Sequence, residues 1–215
     1  MSQIAETTTA GLGHEHKEHK HRDNEGAKIG MWLFLFTELL LFAGLFLLYA
    51  SYRYFHPVQF HNAGLETHTL FGTVNTMVLL TSSLTMVLSI AAIQRGKKWL
   101  SVSFLSGTIL LGFVFLGIKY YEWSSEIAKG IYPGSTTLLS KSNGEILFWG
   151  LYYTMTGLHG IHVIVGMIIL TFMLVFILRG SINQHDYIKL ETAGLYWHLI
   201  DIIWIFLFPL FYLIN

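Results

Sequence analysis

The sequence predicts an all-α polytopic membrane protein, a bundle of five transmembrane helices, and three observations predict it. Of 215 residues, 53% are hydrophobic and only 12% charged, the composition of a chain solvated by lipid. Five apolar stretches stand out, residues 29–49, 69–93, 99–118, 146–178 and 191–214. At about 1.5 Å per residue each crosses a hydrocarbon layer of roughly 30 Å. Polar or turn-forming segments separate them, among them RGKK at 95–98 and GIYPGS at 130–135.

Residues 1–27 form a polar tail without an apolar run, so a secretory signal is not expected and the first span is expected to be retained. Its HEHKEHKH tract, with His14, His16, His19 and His21, is read as a disordered solvated arm, a metal-binding or pH-sensitive tract being the alternative. Residues 28–215 are the membrane domain. The first span places Glu38 inside LFLFTELLLFAG. The second and third spans, joined by RGKK, are expected to be antiparallel neighbours. The connections at 50–68 and 119–145 are long and carry Pro57, Pro133 and several glycines. The fourth span is long enough to tilt or protrude. Gly150, Gly157, Gly160 and Gly166, with Thr154 and Thr156, let other helices approach it closely, so it is expected at the centre of the bundle. No internal repeat supports an inverted-repeat transporter.

Five spans put the termini on opposite sides. Nine Lys and Arg (17, 20, 22, 28, 95, 97, 98, 179 and 189) lie on the N-terminal side, against four (Arg53, Lys119, Lys129 and Lys141) on the other. The positive-inside rule then predicts a cytoplasmic N-terminus and an outside C-terminus. Lys plus Arg equals Asp plus Glu at 13 each, which speaks against a nucleic-acid partner. The absence of cysteine removes disulfides, thiolate metal sites and thiol nucleophiles.

Ionisable residues inside the spans need an explanation, because a charge at mid-membrane costs about 2.5–3.5 kcal/mol on insertion scales. Besides Glu38 these are His159 and His162 in TGLHGIHVIVG, and Glu191, His198 and Asp201, which ETAGLYWHLIDIIW brings onto one broad helix face. Ligation of one metal or haem by the histidines fails on depth. His162 lies about 24 Å along its span and His198 about 10 Å along the next, whereas ligands of one metal sit within a few Å of one another. No catalytic residue and no metal site are therefore assigned. Glu38 at about 14 Å and Asp201 at about 15 Å are level with each other and near His198. The three are expected to form a polar layer that shares protons or hydrogen bonds, with a structural contact between helices as the plain alternative.

The blocks KIGMWLFLFTELLLF (28–42), NTMVLLTSS (75–83), LGIKYYEW (116–123), TGLHGIHVIVG (156–166) and YWHLIDIIWIFLFP (196–209) occur in an order and spacing that resembles subunit III of the haem-copper, cytochrome c type oxidases in its five-helix bacterial form. The resemblance implies a subunit without cofactors, haem and copper residing in subunits I and II, which reduce oxygen and pump protons. It implies packing against subunit I, contact with subunit II or other respiratory subunits, bound phospholipid, support of proton uptake, and a place in the bacterial plasma membrane. Glu38, His159, His162, Glu191, His198 and Asp201 match the family's intramembrane polar positions. Tyr121 and Glu122 match the end of its third span. Arg95, Lys97, Lys98, Arg179 and Lys189 are candidate contacts for lipid headgroups, although positive-inside bias alone accounts for their placement. The sequence is read as a non-catalytic oxidase subunit. Its rivals are the equivalent subunit of a quinol oxidase or nitric oxide reductase, and a stand-alone proton transporter.

Overall fold

The computed structural model describes the backbone of residues 2–213 and the side chains of residues 26 and 28–213. The reading of the tail histidines lies outside the described side chains. The chain forms two compact units, Met1–Leu40 and Leu41–Asn215. The helix α1, Ser2–Phe55, begins in the first and ends in the second. After it come α2 (Pro57–Leu65), α3 (Thr69–Gln94), α4 (Lys98–Ala128), α5 (Thr136–Leu139), α6 (Asn143–Leu178), α7 (Ile188–Phe208) and a π-helical turn, Pro209–Leu213. Among the described residues there is no strand beyond an isolated bridge between Asn183 and Asp186.

Five helical segments, Lys28–Phe55, α3, α4, α6 and Ile188–Leu213, are long and apolar enough to cross a membrane. Large apolar side chains such as Leu110, Phe113, Ile161 and Phe172 stand more than half exposed on them. So much outward apolar surface suits lipid, not water. The five predicted spans are present, with two ends displaced. The first was expected to end at Tyr49, yet its helix runs to Phe55. The third was expected to end at Ile118, yet α4 continues to Ala128. KYYEWSSEIA contains no Gly or Pro to stop a helix. Its polar residues interrupt the hydropathy because one side turns inward. Tyr121 and Glu122 accordingly lie well inside α4. The long connections are also partly helical: Pro57 starts α2 at a position where its missing N–H is not needed.

In the second unit, α3 lies along α4, α7 packs on both α3 and α6, and α6 also meets α4 and α2. The RGKK link thus joins neighbours as expected. A Schellman closure makes the turn: Lys97 N–H donates to Ala92 O at 2.9 Å and Gly96 N–H to Ile93 O at 3.0 Å. Gly96 takes φ +72° there, which a side chain would strain. Gly180, at φ +79°, ends α6 in the same way. The N-terminus of α6 is fixed by a capping box between Ser142 and Glu145.

α6 packs on α4, α7, α2 and α5, as expected of a central span. Only some of its glycines face a neighbour: a Cβ on Gly166 would stand 2.9 Å from the Trp197 ring, but one on Gly150 or Gly160 would meet nothing within 4 Å. α7 shares the centre, with half of the most apolar window of the last span buried. It is flanked by α3 and α6 and fills its contacts with Trp197, Ile200, Ile203 and Trp204, all buried. At the end bearing α2, an aromatic cluster of Tyr49, Phe60, Phe148 and Phe211 packs edge to face at centroid distances of 5.2–5.6 Å.

Candidate functional site

Of the most densely bonded polar group of the second unit, the sequence singled out only Glu122, as a match to the end of the family's third span. Lys119 and Glu122, three residues apart on α4, share one helix face, and both are buried, at 7% and 1% exposure. Lys119 Nζ donates to Glu122 Oε2 at 2.9 Å, to Tyr212 OH at 2.9 Å and to Tyr152 OH at 3.2 Å. The two tyrosines in turn donate to Glu122 Oε1, at 2.6 Å from Tyr212 and 2.8 Å from Tyr152. All three ammonium protons and both hydroxyl protons are engaged, and each carboxylate oxygen accepts. This is what makes a buried charge pair tolerable. The Lys119 ammonium also lies over the Trp204 ring at 5.3 Å. One turn further along α4, Glu126, 2% exposed, accepts from Lys129 Nζ at 2.8 Å, and His68 approaches it at 3.7 Å.

The network ties the C-terminus to the rest of the unit. Tyr212 belongs to the π-helical turn, whose final carbonyls have no helical partner. Tyr49 OH donates to Leu210 O at 2.5 Å, Thr67 Oγ1 to Phe211 O at 3.0 Å and Thr69 Oγ1 to Tyr212 O at 3.3 Å. Side chains from α1, from the link after α2 and from α3 thereby close the turn that carries Tyr212 into the network.

The predicted polar residues are distributed less uniformly than expected. Glu38 is partly exposed in the first unit. His159 is fully buried, against the rings of Phe115 at 5.5 Å and Trp204 at 5.1 Å. Neither of its ring nitrogens has a hydrogen-bond partner among the described residues. His162 is partly exposed, with Nδ1 2.7 Å from Leu158 O and its ring 5.4 Å from Phe42. The shared face of α7 does turn to α3: Gln94 Nε2 donates to Glu191 at 3.2 Å, and Ser83 Oγ lies 2.8 Å from His198 Nδ1. Asp201, 3% exposed, has no hydrogen-bond partner on either carboxylate oxygen among the described residues. No three metal-ligating side chains converge among the described residues. Tyr121 and Glu122 part company, for Tyr121 is exposed and meets Phe71 at 5.6 Å while Glu122 is the centre of the buried network.

The family of cytochrome c oxidase subunit III matches residues 4–215. The chain belongs to that family. Its similar relatives include subunit 3 of the cytochrome bo(3) ubiquinol oxidase of Pseudomonas aeruginosa, 30% identical over 95% of this chain and 92% of the relative. A probable quinol oxidase subunit 3 of Staphylococcus haemolyticus is 30% identical over 95% of this chain and 98% of the relative. A heme-copper oxidase subunit I+III of Aeropyrum pernix is 28% identical over 92% of this chain and 24% of that longer protein. An integral membrane subunit of haem-copper oxidase complexes follows from this membership, and the five apolar helices fit it. The KYYE spacing, an i,i+3 ion pair in an apolar context, was the signal that could have found Lys119 as the partner of Glu122. Tyr152 and Tyr212 carried none.

Proposed function

We propose that this chain is the non-catalytic third subunit of a quinol-oxidising haem-copper terminal oxidase in a bacterial plasma membrane. The carrying observation is the nearly full-length match to relatives named as subunit 3 of ubiquinol and quinol oxidases. These names favour quinol over cytochrome c as the electron donor of the complex. The I+III relative, which joins the two subunits in one chain, supports subunit I as the main partner. Haem and copper belong to partner subunits in this reading. A tag on this chain tests the proposal. The haem-bearing subunit should co-purify and the complex should oxidise ubiquinol. Isolation of the chain alone would overturn the subunit reading, and oxidation of ferrocytochrome c at an equal rate would overturn the donor.

The subunit steadies subunit I, supports proton uptake with Glu38 as one intramembrane carboxyl group, and holds phospholipid at the α3–α4 turn, which faces the cytoplasm. Charge supports the lipid contact. Lys119, Lys129 and Lys141 each pair with a carboxylate. Arg95, Lys97, Lys98, Arg179 and Lys189 have no carboxylate partner among the described residues. A cavity of about 270 Å³ opens between their turns, bordered by Gly96, Lys98, Gly180, Asn183, Gln184 and His185. Anionic headgroups complement such a cluster. Glu38→Gln tests the proton role: unchanged assembly, turnover and proton uptake would remove it.

A further inference from the structure

The Lys119–Glu122 network is also part of a chain of oxidisable rings. Between ring centroids, Trp204 and Tyr212 stand 6.4 Å apart, Tyr212 and Tyr152 6.3 Å, Tyr152 and Tyr153 5.4 Å, and Tyr153 and Trp123 5.3 Å. Trp204, Tyr212 and Tyr152 are buried, whereas Tyr153 and Trp123 are partly exposed. Five rings thus lead from the core of the second unit to its surface. Trp123 lies about 38 Å along α4 from Lys98, at the end away from the cationic turns. Every step is short enough for an electron to pass from ring to ring.

Hydrogen bonding divides these rings into two kinds. A phenol that loses an electron becomes a strong acid, so its oxidation is easy only where a base stands within hydrogen-bond reach of the proton. Tyr152 and Tyr212 have such a base. Their hydroxyls donate to Glu122 Oε1 at 2.8 and 2.6 Å, and the two oxygens lie 3.3 Å apart. Tyr153 donates to the carbonyl of Ile131 at 2.6 Å, a group too weakly basic to take a proton. Trp204 Nε1 donates to the hydroxyl of Thr76 at 3.1 Å, and Trp123 Nε1 has no partner among the described residues. Lys119 completes the arrangement. Its ammonium donates to the oxygens of Tyr212 and Tyr152 at 2.9 and 3.2 Å, so a phenoxyl oxygen keeps a donor once its own proton has left.

We propose that Tyr152 and Tyr212 are a redox-active pair that carries oxidising equivalents through this subunit, with Glu122 as the proton acceptor. In the first step one electron leaves either tyrosine for an oxygen-centred radical, which is reduced to its anion. The phenolic O–H bond breaks and its proton bonds to Glu122 Oε1, leaving a neutral phenoxyl radical and a neutral carboxylic acid. In the return step an electron arrives from Trp123 by way of Tyr153, and the proton goes back from Glu122 to the phenoxyl oxygen. A hydroquinone dissolved in the membrane refills Trp123, losing one electron and one proton per step. The oxidant and the hydroquinone rest on the reading of this chain as an oxidase subunit; the ring chain and its base do not.

The test supplies the oxidant independently. Ser124 is exposed beside Trp123, and the chain has no cysteine. In the intact complex, Ser124→Cys takes a ruthenium(II) polypyridyl label, which a laser flash in the presence of an external electron acceptor turns into a one-electron oxidant. The unsubstituted complex, treated in parallel, is the blank. Samples frozen after the flash are read by electron paramagnetic resonance. Expected is a tyrosyl signal that narrows with ring-deuterated tyrosine and decays more slowly in heavy water, because the proton must return from Glu122. Replacing both Tyr152 and Tyr212 by Phe should abolish it; each single replacement should lower it, which serves if the double variant does not assemble. A tryptophanyl signal alone, a tyrosyl signal undiminished in the variants, or a decay indifferent to heavy water would overturn the proposal. The oxidase reading fails on a different result, isolation of the chain without a haem-bearing subunit.

Discussion

Removing one charge of the Lys119–Glu122 pair should damage the subunit far more than removing both. In Lys119→Met, Glu122 keeps its charge and two tyrosine donors but loses its counter-ion. In Glu122→Gln, a buried ammonium faces a neutral amide. Both groups are nearly inaccessible, so each single change leaves a charge uncompensated, at a cost of about 3–5 kcal/mol. For a chain of this size each kcal/mol is worth about 2–4 °C. Each single variant should therefore lower, on the order of 10 °C, the temperature at which the subunit leaves the purified complex. The double variant removes both charges and keeps the shape, and exchanges of that kind are often near neutral. The double-mutant cycle should then yield a coupling of about 3 kcal/mol or more, where independent sites add to within about 0.5 kcal/mol. Additive losses across the cycle would refute the account of Lys119, Glu122, Tyr152 and Tyr212 as one unit.

Tyr212→Phe keeps the aromatic packing but removes the donor to Glu122 Oε1. It should cost about 1.5–3 kcal/mol as a hydrogen bond to a charged group, read from the same dissociation temperature. Gly166→Ala places a methyl group 2.9 Å from the Trp197 ring and should cost about 1–3 kcal/mol through overpacking. Gly160→Ala, facing open space, should stay within about 0.5 kcal/mol of wild type. Equal melting of these two variants would sink the assignment of Gly166 as the close-approach position. Ser142→Ala breaks the capping box of α6 and should cost about 1 kcal/mol, detectable as faster amide exchange in its first turn. Replacing Arg95 and Arg179 together by Gln should reduce co-purified anionic phospholipid, with a loss that shrinks as salt rises; unaltered lipid content would leave those arginines to topology alone.

The apolar spans, the RGKK hairpin between α3 and α4 and the shared polar face of α7 were legible in the sequence. Each follows from local rules: hydropathy over about 20 residues, a cation and Gly at a helix end, and steps of three and seven along a helix. The displaced end of the third span shows where such rules stop. A hydropathy reading ends a span at the first polar cluster, and Lys119 looked like the start of a loop. Only with α6 and the π-helical turn in place do the hydroxyls of Tyr152 and Tyr212 stand beside its ammonium and make burial tolerable. Small residues show the same division. Gly150, Gly157, Gly160 and Gly166 read as equals, yet only tertiary packing sets Gly166 against Trp197 and leaves Gly160 facing open space. The sequence by itself determined which segments enter lipid and where the hairpin turns lie, because those are properties of neighbouring residues. Which buried groups meet, and which faces stay open, the tertiary structure decided, since those contacts join residues as distant as Lys119 and Tyr212.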